Sequence, residues 1–225
     1  MDDLYFRQIQ AGPMENFVYL IGNQRTRKCV LVDPAWVIDG LLKQIDEDDM
    51  NLCGALITHY HPDHCGGSMY GFTVEGLPTL MEKRPVPIYV NEHEADGLMK
   101  VTGVSKTDLK IQSTGDTLDL DGLPITFLHT PGHTPGSQCF QVGKRLVSGD
   151  TLFVQGCGRV DLPGGDPEVM YHTLTKKLAT LPDDTILCPG HFYGSEPMGT
   201  MGEIKETNHY LRIPSLEAWM RLMGH

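Results

Sequence analysis

Short apolar runs alternate with segments of helical periodicity along the first part of the chain. The runs FVYLIG (17–22) and KCVLVDPA (28–35) predict two strands, and the polar residues between them predict the turn that joins them. The segment WVIDGLLKQIDED (36–48) repeats its apolar residues at helical spacing and predicts an α-helix. The next apolar run, LCGALITH (52–59), predicts a strand that stops at a histidine.

The alternation of strands and helices continues toward the C-terminus. Residues 65–87 contain several glycines and prolines and predict an irregular segment, after which VPIYVN (86–91) predicts a strand and 92–103 a helix. Residues 116–153 predict a meander of strands. A helix over 166–181, a strand over 185–191 and terminal helices complete the prediction. We therefore expect an α/β fold in which two sheets lie face to face with helices outside.

The length of 225 residues fits one domain with one sizeable core, so 1–225 is expected to be a single domain. The segment 66–87 is longer than a plain connection needs. Such a segment is typical either of a lid over a binding site or of a surface loop without a part in binding. Residues 200–225 are expected to form a short helical tail.

The charge of the chain narrows the range of partners. A net charge of −11 argues against nucleic acid as the main ligand, because nucleic-acid-binding proteins usually carry a basic stripe. No apolar run approaches the roughly 20 residues that span a bilayer. The start MDDLYFRQIQ lacks the basic and apolar regions of a signal peptide, so a cytoplasmic protein without a membrane partner is expected. The six scattered cysteines are expected to be free thiols.

The stretch THYHPDHCGG (58–67) crowds four ligand-type side chains into a short loop. They are His59, His61, Asp63 and His64. Alone, the stretch fits either a polar loop with chance histidines or half of a metal site.

Three more ligand-type residues end predicted strands beside glycine or proline. They are His133 in TPGHTPGS, Asp150 in SGDTLF and His191 in CPGH. Imidazole and carboxylate together suit Zn, Fe or Mn rather than Ca or Mg. The whole set is too large for one tetrahedral ion but is enough for two ions that share a bridging carboxylate. The remaining histidines are interpreted as solvated or structural, namely His93, His129, His172, His209 and His225.

The series THYHPDH, TPGHTPGS, SGDTLF and CPGH resembles the metallo-β-lactamase superfamily over most of the chain. This resemblance implies an αββα sandwich of two mixed sheets, with the site at one edge of both. It also implies a ligand set for two ions: His59, His61 and His133 for the first, Asp63, His64 and His191 for the second, and Asp150 as the bridge.

Two differences from known branches of the superfamily narrow the choice of branch. Class B1 β-lactamases place a cysteine at the position of Asp150, and flavodiiron proteins place a glutamate at that of His61. These differences disfavour an antibiotic-degrading β-lactamase and diiron electron transfer. The leading hypothesis is a glyoxalase II-like hydrolase with two divalent ions, Zn first and Fe or Mn as alternatives. In this hypothesis a metal-bound hydroxide attacks a thioester or related acyl substrate, and the catalytic Asp63 accepts its proton. Lactone hydrolysis is a related specialisation.

The stretch SGDTLFVQGCGRVD (148–161) resembles the glyoxalase II and persulfide dioxygenase branches. In those branches the residue that matches Arg159 helps to hold a glutathione carboxylate, and the residue that matches Tyr193 contacts the thiol portion. A structural salt bridge remains the alternative for Arg159. Full glyoxalase II chains carry a longer C-terminal helical domain, whereas 34 residues follow His191 in this sequence, so the identity of the thiol stays open.

The second hypothesis is a persulfide dioxygenase. The resemblance then implies a single iron held by His59, His133 and Asp150. Both hypotheses imply a small thioester or thiol-containing substrate as partner, and both leave a monomer and a homodimer open.

Overall fold

Two six-stranded sheets form the centre of the computed structural model, which describes residues 3–224. Strands and helices are numbered in chain order. The first sheet contains, in spatial order, β1 (Leu4–Ala11), β2 (Asn16–Asn23), β3 (Lys28–Val32), β4 (Asn51–Leu56), β7 (Ile88–Asn91) and β8 (Leu109–Gln112). The second contains β14 (Gly199–Thr200), β13 (Ile186–Pro189), β12 (Arg145–Gly149), β11 (Gln138–Val142), β10 (Pro124–His129) and β9 (Thr117–Asp119). Each sheet mixes parallel and antiparallel pairs.

Among residues 3–224, five α-helices and one small hairpin connect these strands, and two further α-helices follow the last strand. The helices are α1 (Ile38–Glu47), α2 (Pro62–Cys65), α3 (Leu77–Lys83), α4 (Ala95–Thr102), α5 (Pro167–Lys176), α6 (Met201–Thr207) and α7 (Leu216–Leu222). The hairpin pairs β5 (Gly67–Met69) with β6 (Phe72–Val74). No helix of residues 3–224 has the length and apolar character needed to cross a bilayer.

The apolar residues form three layers, as an αββα sandwich requires. In the middle layer, residues of the first sheet such as Tyr19 and Ile21 share a cluster with Phe127 and Phe140 of the second. One outer cluster joins the first sheet to α1, α3 and α4, and the other joins the second sheet to the C-terminal helices. The predicted fold class is therefore confirmed.

The predicted irregular segment after the histidine cluster is wrong in its local structure. Residues 66–87 contain the β5–β6 hairpin and helix α3, whose Leu77 and Leu80 are fully buried in the outer cluster of the first sheet. A helix anchored in this way packs against the sandwich, so only the hairpin tip is free to act at a cleft. The lid therefore stays a prediction for the hairpin tip alone.

Candidate metal centre and cleft

The ligand-type residues lie where strands of both sheets end at one edge. β3 runs parallel to β4 in the first sheet, and β12 runs parallel to β13 in the second. His59 and His61 follow β4, Asp150 follows β12 directly, and His191 follows β13. Since the carboxyl ends of parallel strands share an edge, segments that are distant in sequence meet there.

All seven predicted ligand residues come together at this edge. Two of the compact groups, each with ligand atoms within 4.8 Å of one another, have no member in common: His59, His61 and His133, called the first triad below, and Asp63, His64 and His191, called the second. A third group, Asp33, His59 and His64, overlaps both triads. Asp150 lies between the two triads. Its Oδ1 is 3.3 Å from His64 Nε2, and its Oδ2 is 3.4 Å from His191 Nε2 and 3.7 Å from His133 Nε2.

Oxygen atoms around the cluster fix the orientation of three imidazoles. His133 Nδ1 donates to the carbonyl of Arg159 at 2.7 Å, and His191 Nδ1 donates to that of Met14 at 2.8 Å. His64 Nδ1 donates to Asp33 Oδ2 at 3.0 Å. Because these oxygens only accept, each Nδ1 carries a proton and each Nε2 faces the centre of the cluster. Outer partners of this kind are typical of histidines that ligate metals.

His59 follows the same pattern through one hydroxyl group. Thr58 Oγ1 donates to Asp33 Oδ2 at 2.5 Å and so accepts from His59 Nδ1 at 3.0 Å. The opposite nitrogen, His59 Nε2, is buried and has no hydrogen-bond partner among residues 3–224. An imidazole nitrogen left in this state at the centre of a histidine and aspartate cluster fits a bound cation. The residues present therefore suit a divalent metal.

The two triads differ in charge. Burial alone lowers the pKa of His191, but the adjacent carboxylates of Asp150 and Asp63 outweigh it and raise that pKa to about 9. In the first triad, burial and the neighbouring His133 lower the pKa of His61 to about 4. Burial likewise lowers the pKa of His59. The carboxylates of Asp63 and Asp150 therefore stabilise positive charge at the second triad, whereas burial disfavours it at the first.

Several outer residues of the cluster were missed by sequence reasoning. Asn16 Nδ2 donates to Asp63 Oδ2 at 2.9 Å, and Trp36 Nε1 holds Asn16 Oδ1 at 3.0 Å. Asp33 accepts hydrogen bonds from His64 and Thr58. One signal for Asp33 was present, because it directly follows an apolar strand, as Asp150 does. Asn16 and Glu94, which is described below, carried no comparable signal.

A cleft of about 600 Å³ opens above the cluster. Its floor contains residues of both triads together with Asp150. Its walls are mainly apolar and are formed by Met14, Met69, Tyr70, Phe153, Leu162 and Tyr210. Two of these, Met69 and Tyr70, belong to the tip of the β5–β6 hairpin, where Tyr70 is 82% exposed. The floor thus supplies polar chemistry and the walls suit an apolar group.

Both predicted substrate residues line this cleft. The Tyr193 ring stacks on His191 with centroids 4.5 Å apart and is 43% exposed. The Arg159 side chain is 63% exposed and forms a two-point ion pair with Asp161, through Nε at 2.9 Å and Nη2 at 2.7 Å. The salt bridge that the sequence left open therefore exists, and it leaves Nη1 of the guanidinium outside the pair.

The comparisons with known proteins point to one family. The model of the metallo-beta-lactamase superfamily matches residues 11–191. Hydroxyacylglutathione hydrolase GloC of Haemophilus influenzae is 34% identical over 84% of this chain and 90% of its own length. The human mitochondrial persulfide dioxygenase ETHE1 is 30% identical over 99% of this chain and 81% of its own. The crystal structure of ETHE1 from Myxococcus xanthus is 31% identical, with a TM-score of 0.81, and the match covers 98% of this chain and 90% of that one. This chain therefore belongs to the metallo-β-lactamase superfamily.

Proposed function

We propose that this protein is a metal-dependent hydrolase of thioesters, similar to glyoxalase II, with two divalent ions at the floor of the cleft. One observation carries the proposal: two separate triads of ligand-type side chains share a carboxylate, Asp150, that lies between them. A single ion would leave most of the second triad unused. We propose His59, His61 and His133 as ligands of one ion, Asp63, His64 and His191 as ligands of the other, and Asp150 as the bridge.

Bound divalent ions would supply Lewis acidity toward the carbonyl and lower the pKa of water at the site. The chain's own residues supply orientation and proton transfer. Asn16 Nδ2 donates to Asp63 Oδ2 and so orients that carboxylate. We propose that Asp63 accepts the proton of the attacking water. The resulting hydroxide adds to the carbonyl carbon and the C–S bond breaks. Asp63 returns the proton to the leaving thiolate, so that the products are a carboxylic acid and a thiol.

The cleft supports a substrate with a charged thiol portion and a less polar remainder. Arg159 retains free N–H groups on Nη1, and a guanidinium donates well to a carboxylate. The open face of Tyr193 lies on the same cleft. We propose these two residues as contacts of the thiol portion. The relative GloC, named as a hydroxyacylglutathione hydrolase, supports this choice of substrate class.

Metal analysis combined with a thioester hydrolysis assay tests the proposal. We expect about two divalent ions per chain and hydrolysis of S-lactoylglutathione that is lost on chelation and restored by Zn²⁺. A protein that holds two ions and hydrolyses no thioester would overturn the thioester assignment. A protein that never holds more than one ion would overturn the two-ion site.

The second candidate is a persulfide dioxygenase with one iron. Its support is the similarity to two proteins named ETHE1 over nearly the whole of this chain. The ligands would be His59, His133 and Asp150. Oxygen uptake on glutathione persulfide with one iron per chain would establish this activity. The His61→Ala variant separates the candidates, because this residue serves the hydrolase and lies outside the dioxygenase ligand set. His59→Ala is the matched control and should abolish either activity.

Substitution of Arg159 tests the thiol contact. We expect Arg159→Ala to raise KM for S-lactoylglutathione roughly 10- to 100-fold, since a hydrogen bond to a charged group contributes about 1.5–3 kcal/mol. The value of kcat should change little, because the contact is the same in the ground and transition states. Orientation of His133 is preserved, since it depends on the backbone carbonyl of Arg159. The control Asp161→Asn removes the ion pair and keeps the guanidinium, so its KM should stay close to that of wild type. An unchanged KM in Arg159→Ala would contradict the contact.

A further inference from the structure

The first triad is assembled from loops of different sheets. His59 and His61 lie on the loop after β4, in the first sheet, whereas His133 lies on the loop between β10 and β11, in the second. The distance between these histidines therefore depends on how the two loops are held together. A histidine displaced by a fraction of an ångström weakens a metal site, so whatever fixes the loops tunes the site.

One buried side chain makes hydrogen bonds to both loops. Glu94 precedes α4 and has no exposed surface. Its Oε1 accepts from the backbone N–H of Tyr60 at 2.6 Å, between His59 and His61. Its two oxygens share the hydroxyl of Thr134 at 2.9 Å each, next to His133. Oε2 also accepts from the N–H of Gly136 at 2.8 Å.

The packing around Glu94 leaves little freedom for either loop. A Cβ atom on Gly136 would lie 2.5 Å from the Glu94 backbone nitrogen, so a larger residue would push the His133 loop away. A Cβ atom on Gly97, in α4, would overlap the ring of Tyr60. The start of α4 therefore contacts both ligand loops closely, and Glu94 is the carboxylate at their junction.

The groups that surround Glu94 at the junction favour a carboxylate. Three N–H and O–H groups, from Tyr60, Thr134 and Gly136, all donate to Glu94. A glutamine of the same shape would offer only one accepting oxygen, and its NH₂ group would face a donor. Burying a carboxyl group here is costly, and burial raises the pKa of Glu94 to about 7 although its donors act in the opposite direction. The hydrogen bonds from the two loops offset that cost.

We propose that Glu94 is a positioning residue that sets the spacing of His59, His61 and His133 by joining their two loops. The inference rests on the proposed metal site and concerns the first triad alone. Glu94 touches neither substrate nor the reacting atoms in this role. It acts through Tyr60 and Thr134, the chain neighbours of the histidines.

Cobalt binding to single-triad backgrounds tests this role. His191→Ala removes a member of the second triad, so Co²⁺ bound to this variant reports the first triad. His61→Ala removes a member of the first triad, so Co²⁺ bound to that variant reports the second. We expect Glu94→Gln to weaken Co²⁺ binding about 10- to 100-fold in the His191→Ala background, the range typical of outer partners of metal ligands. The visible absorption of the ion should shift, since it follows ligand geometry. Binding in the His61→Ala background should stay unchanged.

Asn23→Ala is the control for a merely structural effect. Asn23 is also buried, and its side chain donates to the carbonyls of Leu120 and Asp121 at the opposite end of β2 from the site. Thermal unfolding of the metal-free variants places both substitutions on one stability scale. The inference would be overturned if Glu94→Gln weakened Co²⁺ binding equally in both backgrounds. It would also be overturned if Glu94→Gln and Asn23→Ala, at equal loss of stability, weakened Co²⁺ binding to the same extent. A wild-type protein that binds no Co²⁺ would instead refute the metal site itself.

Discussion

Replacement of Asp150 by alanine is expected to lower thioester hydrolysis on the order of 10³-fold, comparable to the loss of a group aimed at transition-state charge. Its two oxygens lie between the triads, 3.3 to 3.7 Å from imidazole nitrogens of both. The substitution removes negative charge that both proposed ions share. Metal content should therefore fall below two ions per chain together with activity. Inductively coupled plasma analysis and steady-state kinetics measure the two effects on the same sample.

The matched control for this prediction is Asp184→Ala. Asp184 is an exposed aspartate that pairs with Lys144 at 2.5 Å. Exposed ion pairs contribute about 0–1 kcal/mol to stability, so this variant should keep both activity and metal. Full metal content and near-normal hydrolysis in Asp150→Ala would show that the carboxylate bridges nothing.

Asp33→Asn is expected to weaken metal binding about 10- to 100-fold and to destabilise the metal-free protein by about 1–3 kcal/mol. Asp33 accepts from the N–H and hydroxyl of Thr58 at 2.8 and 2.5 Å and from His64 Nδ1 at 3.0 Å. An amide leaves one of these donors facing another donor in a fully buried site. Because Thr58 in turn orients His59, the substitution affects one ligand of each triad, His59 in the first and His64 in the second.

Asparagine is chosen at position 33 for its backbone tolerance. Asp33 has φ of 52°, in the left-handed region that asparagine adopts more readily than alanine. Denaturant unfolding of the chelated protein measures stability, and competition with a chromogenic chelator measures affinity. Asp48→Asn, which disturbs the pair with Arg7 and Tyr5 far from the cleft, is the control. Metal affinity equal to that of wild type would show that the orientation of His64 does not depend on Asp33.

The buried strands were predictable from the sequence because burial on both faces leaves continuous apolar runs. FVYLIG predicted β2, which is buried along its whole length, and KCVLV predicted β3. β1 and β8 were missed. Both are edge strands with mixed exposure, and their polar residues, such as Arg7 and Lys110, interrupt the apolar pattern. The β5–β6 hairpin was hidden because its strands are only three residues long.

The fold class and the residue types of the candidate site were predictable from the sequence alone. Within THYHPDH the four ligand-type side chains are close whatever the fold, because the chain links them directly. Which partners each of them faces depends on the packing of distant segments. Contacts such as Asn16 to Asp63, or Glu94 to Thr134, join segments tens of residues apart and depend on strand register and on the packing of two sheets. A local sequence pattern does not predict such contacts, because an asparagine or glutamate becomes a hydrogen-bond partner of the ligand loops only when folding brings those loops against it.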